Sequence, residues 1–171
     1  MPAPRFFGKY RGTVENDLDP FGQGRLQVRV PAVLGDAAML WAMPCSPYAG
    51  PGVGLFLIPP VGAQVWVEFE GGDPDYPIWV GGFWGPGEAP SPAPGPQQVA
   101  AKMLKTDAVS LTLNDLAGAG GVTLEVGAPA VAVPATIEIT SAGVTISYAG
   151  SSIELSAGGV AINGENLRVL P

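Results

Sequence analysis

The chain has 171 residues with 25 Gly, 19 Pro, a single Cys and no His, and its formal net charge is −7. So many Gly and Pro exclude a mainly helical fold, and a helical apolar period survives only near residues 97–104. The negative charge disfavours nucleic acid as a partner, and without His or a second Cys we expect no metal, no cofactor and no intrachain disulfide. These features predict an all-β protein, and its low charged content of 13 % indicates burial in an oligomer.

The first half of the chain has the strand pattern of a small barrel. The five predicted strands are Tyr10–Val14, Arg25–Val30, Leu40–Met43, Val65–Glu70 and Ile78–Phe83. Within the second strand, Leu26, Val28 and Val30 share one face, so this strand is predicted to be half-buried. The last two strands should form a hairpin. Five strands in under ninety residues are typical of an oligonucleotide/oligosaccharide-binding (OB) barrel.

The turn before the fifth strand contains carboxylates that could resemble a catalytic pair. It consists of Gly72, Asp73, Pro74, Asp75 and Pro77, with Glu68 and Glu70 close by in the sequence. Asp and Pro between Gly residues are better explained by turn chemistry, in which Asp side chains accept hydrogen bonds from nearby backbone amides. Ser and Thr nucleophiles need a base such as His, and the chain has none. We therefore expect that the protein is not an enzyme and has no catalytic residues.

The aromatic residues on the barrel strands allow two interpretations of their role. Trp66, Trp79, Phe83 and Trp84 could stack against bases or sugars, but no positive groove accompanies them. Packing at a trimer interface is the favoured interpretation, because aromatic residues are enriched in interface cores. Cys45 is expected to be a buried small apolar residue, since it follows Met43 and Pro44.

A segment rich in Pro and Gly separates the two halves. The sequence GPGEAPSPAPGPQQ, residues 85–98, cannot pack a core or keep a hydrogen-bonded ladder, so it is predicted to be a stiff linker. The predicted domains are residues 1–85 for the barrel, 86–98 for the linker and 99–171 for a C-terminal needle.

The second half repeats short apolar alternations separated by Gly. The pairs are Leu111/Leu113, Val122/Leu124, Ile137/Ile139, Val144/Ile146, Ile153/Leu155, Val160/Ile162 and Leu167/Val169, with Gly143, Gly150, Gly158, Gly159 and Gly164 at predicted solenoid corners. One such ribbon has too little volume for a core, so three copies should form a triangular prism with these side chains inside. The predicted needle core comprises Ile137, Ile139, Val144, Ile146, Ile153, Leu155, Val160 and Ile162. About seven layers at roughly 4.7 Å give a shaft of about 30 to 35 Å.

Two segments carry a resemblance to a known family. Gly8–Asp36 (GKYRGTVENDLDPFGQGRLQVRVPAVLGD) and Ile58–Gly85 (IPPVGAQVWVEFEGGDPDYPIWVGGFWG) are similar to the baseplate assembly protein V spikes of contractile phage tails and injection systems. That family is related to the OB and β-helix parts of the VgrG spikes of type VI secretion. The resemblance implies an OB barrel that trimerises beneath a baseplate hub protein and an intertwined trimeric β-helix needle. It also implies a PAAR-type tip protein on the needle and a force-bearing, membrane-puncturing function.

The C-terminus is the predicted docking surface for that tip protein. It offers Leu167, Arg168, Val169, Leu170 and Pro171, and apolar strand edges with so little charge attract other chains.

The opening residues lack the apolar core of a signal peptide, so we expect a protein made in the cytoplasm and assembled into a virion tail or injection particle. The alternative from another class is an OB module that binds carbohydrate or nucleic acid, carried on a β-solenoid stalk. A third hypothesis, a peptidoglycan hydrolase, lacks the catalytic groups discussed above.

Overall fold

A computed structural model describes residues 4–90, 99–164 and 166–170. The chain forms two compact units, Met1–Ala89 and Pro90–Pro171. Both consist mainly of β-strands, which confirms the all-β prediction. The domain boundaries proposed from sequence stay predictions, since most of the predicted linker, residues 91–98, lies outside the described residues.

The first unit is a closed five-stranded barrel. Its elements in chain order are β1 (Tyr10–Asn16), β2 (Leu26–Arg29), a single helical turn α1 (Pro31–Leu34), β3 (Met39–Pro44), β4 (Ala49–Gly50), β5 (Val53–Gly54), β6 (Gln64–Phe69), a 3-10 turn (Glu70–Gly72) and β7 (Pro77–Phe83). The barrel order is β1-β2-β3-β7-β6, and β4 and β5 form a separate two-stranded hairpin. Strands β3 and β7 pair in parallel, whereas the other barrel pairs are antiparallel. The predicted hairpin of β6 and β7 is confirmed.

The barrel interior follows from strict alternation along its strands. Leu26 and Val28 of β2 and Val65 and Val67 of β6 have no exposed surface, while their sequence neighbours face outward. Among the described residues, the buried hydrophobic cluster of the barrel is Val14, Leu26, Val28, Val30, Ala42, Val65, Val67, Phe69 and Trp79. The first unit therefore has a hydrophobic core within one chain. Full burial of a side chain such as Val or Leu stabilises a fold by about 1.5–3 kcal/mol.

The position of Trp79 differs from the one predicted from the sequence. It was grouped with aromatic residues at a trimer interface, but the structure buries it in the barrel core. Its indole Nε1–H donates to the carbonyl oxygen of Gly24 at 3.2 Å, which satisfies the one polar group of this side chain. The error arose because Ile78, Trp79 and Val80 are consecutive apolar residues, and such a run does not reveal which faces point inward.

The second unit is one antiparallel sheet of eight strands. The strands are β8 (Ala101–Lys105), β9 (Val109–Asn114), β10 (Gly121–Val126), β11 (Ala135–Thr140), β12 (Gly143–Tyr148), β13 (Ser151–Ser156), β14 (Gly159–Ile162) and β15 (Leu167–Val169). Each strand pairs with its neighbours in sequence, so the sheet is a meander. The glycines therefore lie at hairpin ends, where the sequence had predicted solenoid corners within the chain. Residues 101–104, part of the one stretch with a helical period, lie in β8 instead.

Gly143 shows why hairpin ends in this sheet need glycine. Its φ is +143°, and a Cβ placed on it would lie 1.9 Å from the carbonyl oxygen of Leu155. No side chain fits at that distance, and the backbone conformation is one that other residues rarely adopt. The position thus permits only glycine at the start of β12.

Candidate functional site

The strand register of the second unit collects its apolar residues on one face. Ile137 of β11 lies opposite Ile146 of β12, which lies opposite Ile153 of β13. Ile153 in turn lies opposite Ile162 of β14. The residues of this apolar face are Leu111, Leu113, Val122, Leu124, Ile137, Ile139, Val144, Ile146, Ile153, Leu155, Val160, Ile162, Leu167 and Val169. All eight residues proposed from sequence for the needle core are among them.

This apolar face is not covered within one chain. Ile146 is 43 % exposed and Leu155 is 45 % exposed. None of the described residues from 99 to 170 reaches the burial of the barrel core. A continuous apolar surface of this extent marks a site of association with other chains.

The opposite face of the sheet is polar and suits contact with water. Thr145 of β12 lies between Glu138 of β11 and Glu154 of β13. One row further along, the hydroxyls of Thr136 and Ser147 share a hydrogen bond of 2.5 Å. One apolar face and one solvated face are typical of an antiparallel sheet that packs on one side only.

The two outer strands of the sheet differ in charge. Strand β8 carries Lys102, which forms an ion pair with Asp115, and Lys105. Charged side chains, especially Lys, are a common means of preventing an edge strand from pairing with another chain. Strand β15 has only Arg168 as a charged residue. The edge at β15 is therefore the less protected of the two.

The predicted tip residues are divided between the two faces of β15. Leu167 lies opposite Ile162 and Val169 opposite Val160, so both extend the apolar face. Arg168 lies opposite Ala161 and donates to the carbonyl oxygen of Gly158 at 3.5 Å. Leu170 follows the strand and is 68 % exposed. Pro171, also assigned to the tip, lies outside the described residues.

The predicted barrel turn contains the side-chain hydrogen bond expected of turn chemistry. The Asp73 carboxylate accepts from the backbone N–H of Asp75 at 3.2 Å, and Arg5 donates to the same carboxylate at 3.3 Å. Gly72 ends the 3-10 turn, Pro74 follows Asp73, and Pro77 begins β7. Glu68, one of the other carboxylates nearby, pairs with Lys9. The carboxylates of Asp73 and Glu68 are therefore engaged in structural contacts, as the turn interpretation predicted.

A second loop of the barrel is organised by Asp19. Its carboxylate accepts from the backbone N–H groups of Phe21, Gln23 and Arg25 and from the Arg25 guanidinium, the shortest distance to the guanidinium being 2.8 Å. Arg25 and these backbone donors hold the pKa of the Asp19 carboxyl well below its usual range, although burial opposes the shift. Sequence inspection had not singled out this residue, although Asp followed by Pro and Gly is a loop signal.

Three further aromatic residues of the barrel are outside its buried core: Trp66 and Phe83 are half-buried, and Trp84 is exposed. The guanidinium of Arg11 lies 5.2 Å from the ring centre of Trp66 and 4.8 Å from that of Phe83, within cation–π range. Trp84 is 66 % exposed. Cys45 is exposed as well, which corrects its assignment as a buried residue. It lies just beyond the end of β3, where the chain leaves the barrel wall.

The described residues lack two kinds of feature, a metal-binding cluster and a membrane-spanning helix. Over residues 4–90, 99–164 and 166–170 there is no cluster of three or more His, Cys, Asp or Glu side chains that could hold a metal ion. In the same ranges, no helix has the length and hydrophobicity needed to cross a membrane.

The two units match two known protein families. Residues 10–84 match the type VI secretion system/phage-baseplate injector OB domain, and residues 101–168 match the phage baseplate V C-terminal trimerisation domain. This chain belongs to the phage baseplate V spike family. The match to the trimerisation domain supports a homotrimer, and it covers every residue of the apolar face except Val169. The families indicate a structural role in the baseplate of a phage tail or injection particle. No curated protein matches the chain.

Proposed function

We propose that three copies of this chain form a force-bearing spike that punctures the target membrane. The observation that carries the proposal is the apolar face of the second unit: one chain buries none of its residues and leaves Ile139, Ile146 and Leu155 more than 40 % exposed. In a trimer, three such faces turn toward a common axis and bury one another in an intertwined β-prism. The polar faces then form the outer surface.

The dimensions and bonding of the sheet suit a mechanical role. Eight strands are separated by seven spacings of about 4.7 Å, so the sheet extends about 33 Å across its strands. Each internal strand is hydrogen-bonded on both sides, and a closed prism buries an apolar core along its whole length. Deforming such a body requires many hydrogen bonds and packing contacts to break together.

The proposed partners are a baseplate hub protein at the barrel and a PAAR-type tip protein at the β15 end of the needle. The charge difference between the outer strands supports the second assignment, because β8 carries two Lys residues while Leu167 and Leu170 leave apolar surface at the other end. The tip surface comprises Leu167, Arg168, Val169, Leu170 and Pro171. The proposed spike acts on the target membrane by mechanical contact, without a cofactor and without catalysing a reaction.

Removal of residues 167–171 tests both the tip and the puncturing function. The truncated chain should still form a trimer, because the other seven strands keep their apolar face, but it should no longer retain the tip protein in a pull-down. Particles built with it should contract normally and depolarise target cells much more slowly than particles with the complete spike. Undiminished capture of the tip protein would contradict the docking assignment. Undiminished depolarisation would contradict the puncturing role.

A further inference from the structure

The connections between the strands of the second unit alternate between the two sides of the sheet. Because the sheet is an antiparallel meander, the β10–β11 and β12–β13 connections lie on one side, and the β11–β12 and β13–β14 connections lie on the other. Along the sheet, the β11–β12 connection is therefore level with the space between the two connections of the first side. A projection of the second side thus matches a gap of the first side in position.

A groove, here called the hairpin groove, lies on the first side. It has a volume of about 450 Å³ and is lined by Val133, Pro134 and residues 147–152. Val133 and Pro134 end the β10–β11 connection, and residues 149–150 form the β12–β13 turn, so the groove occupies the gap between these connections. None of the described residues that line it is charged. Two large side chains in it, Val133 and Tyr148, are 43 % and 56 % exposed.

The β10–β11 connection forms a fixed apolar wall of this groove. Its eight residues, 127–134, read GAPAVAVP and contain no polar side chain. The Gly127 N–H donates to the carbonyl oxygen of Ala108 at 2.7 Å, and the Val131 N–H donates to the carbonyl oxygen of Gly127 at 3.1 Å. A wall that is already held by hydrogen bonds loses little conformational entropy when a partner covers it.

The second side carries a small turn at the level of the hairpin groove. Strands β11 and β12 are joined by only Ser141 and Ala142, and both residues are exposed. The Thr140 hydroxyl accepts from the Ala142 N–H at 3.2 Å, which fixes the turn. Two small uncharged residues make a narrow projection, and its burial would remove no charge from water.

We propose that the Ser141–Ala142 turn of each chain inserts into the hairpin groove of the next chain in the trimer. The inference rests on the proposed function, in which three sheets surround a common axis. In a three-fold ring the first side of one sheet meets the second side of its neighbour, and this head-to-tail contact closes after three copies. A second copy is the occupant because the matched trimerisation domain, residues 101–168, contains both the groove and the turn.

The inserted turn would determine how the chains align along the axis. Ile137, Ile146, Ile153 and Ile162 form one row of the apolar face, so displacing one chain by a strand spacing still places apolar side chains against apolar ones. Such a repetitive face specifies the register between chains weakly. A groove at one level, which a turn of the next chain fills, distinguishes the correct alignment from the displaced ones.

Disulfide crosslinking of the full-length chain tests the contact. Val133→Cys and Ala142→Cys are introduced together in a chain that carries Cys45→Ser, so that no native thiol competes. Within one chain the two positions lie at opposite ends of the six-residue strand β11, about 20 Å apart, whereas a disulfide needs Cα atoms within about 7 Å. A bond between them therefore joins two chains. Oxidation should convert most of the trimer to a covalent species of three chains on a non-reducing gel.

The pair Val133→Cys and Ala157→Cys is the matched control for crosslinking. Ala157 lies in the next turn on the same side as Ala142, two strand spacings or about 9.5 Å further along the sheet. This pair should crosslink at least tenfold more slowly. Crosslinking of the control at an equal or higher rate would overturn the insertion, and so would the absence of covalent species from the first pair while light scattering still shows three chains. A wild-type chain that is not a trimer would instead overturn the proposed function.

A charge in the turn gives a second readout that needs no engineered thiol. Ala142→Glu should lower the melting temperature of the trimer by about 5 °C or more, because the insertion would bury a carboxylate in an uncharged groove. Thr112→Glu, on the polar face of β9, is the control and should leave the melting temperature within about 2 °C of wild type. Equal shifts in the two variants would show that the Ser141–Ala142 turn remains in water and would overturn the proposal.

Discussion

The barrel and the C-terminal sheet use the same apolar alternation but finish with different degrees of burial. In the barrel, Val14, Leu26 and Val65 have no exposed surface, whereas Ile139 and Ile146 of the sheet remain 47 % and 43 % exposed. The barrel closes on itself through the pairings of β1 with β6 and of β3 with β7. The sheet has two open edges and an uncovered apolar face. The barrel has its own core because its strands close into a ring within one chain. The sheet does not close, so its core depends on other chains.

The difference can be tested because all four Trp residues, at positions 41, 66, 79 and 84, lie in the barrel unit. Tryptophan fluorescence therefore reports on the barrel, while molar mass reports on assembly through the sheet. A variant that changes one readout and preserves the other shows that the two units are stabilised separately.

The largest expected effect comes from a charge on the apolar face. In the proposed trimer, Ile146→Asp would place three carboxylates around the axis, and an uncompensated buried charge costs about 3–5 kcal/mol per chain. We expect loss of the trimer in light scattering with barrel fluorescence unchanged. Ser147→Asp, the next residue on the polar face, is the control and should leave the trimer intact. A trimer that survives Ile146→Asp with wild-type melting would place this residue in water and shift the inward face by one residue.

A smaller effect is expected from a methyl group at a hairpin end of the sheet. Gly143→Ala should lower the melting temperature of the trimer strongly, because the new Cβ would overlap the carbonyl oxygen of Leu155. Gly150→Ala is the matched comparison: Gly150 also has a positive φ, of 83°, but a Cβ there has no neighbour within 4 Å. It should cost only about 1 kcal/mol for the backbone conformation. Equal destabilisation by the two changes, measured by calorimetry, would contradict the close approach at Gly143.

The barrel loop should respond to pH through Asp19. Because the folded pKa of this carboxyl is depressed, its contribution to stability is present above the unfolded pKa of about 3.9 and is lost as the pH falls toward the lower folded value. Asp19→Asn should therefore lower the urea midpoint of the barrel at pH 7, and the difference from wild type should shrink by pH 2.5. The sheet should be unaffected at pH 7, as judged by trimer mass. A difference that stays constant with pH would show that the charge of Asp19 contributes nothing.

The smallest expected effect is a gain in stability at the turn between β12 and β13. Ala149 has a φ of 51°, a conformation that costs a residue with a Cβ about 1–2 kcal/mol relative to its usual backbone. Ala149→Gly should remove this strain and raise trimer stability by about 0.5–1 kcal/mol after the added entropy of glycine in the unfolded chain is subtracted. Calorimetry of the trimer measures this, and no gain at all would argue against the turn geometry.

Much of this architecture could be read from the periodicity of the sequence. Alternation at Leu26, Val28 and Val30 predicted the inward face of β2, and the pairs at Ile137/Ile139 and Val144/Ile146 predicted a shared apolar face, because a period of two determines the face. The hairpin of β6 and β7 followed from the turn residues between them.

Other features depend on contacts between distant residues. The stretch at residues 97–104 has a helical apolar period, but its last four residues belong to β8, where Leu104 pairs with Leu111. Trp79 was misassigned because its strand is apolar without alternation. Cys45 was expected to be a buried small apolar residue because it follows Met43 and Pro44, whereas its place just beyond β3 leaves it exposed. A groove on the barrel is lined by the loop at Gly22–Gly24 and the segment at Ser46–Ile58. These two segments are far apart in the sequence, so no local sequence pattern predicts the groove.

The molar mass of the full-length chain tests the central claim, that the sheet completes its core only with other copies. Light scattering at micromolar concentration should give three times the 17.4 kDa of one chain, with tryptophan fluorescence typical of a folded barrel. A folded monomer of 17.4 kDa, stable at that concentration with the spectrum of an intact sheet, would contradict the account.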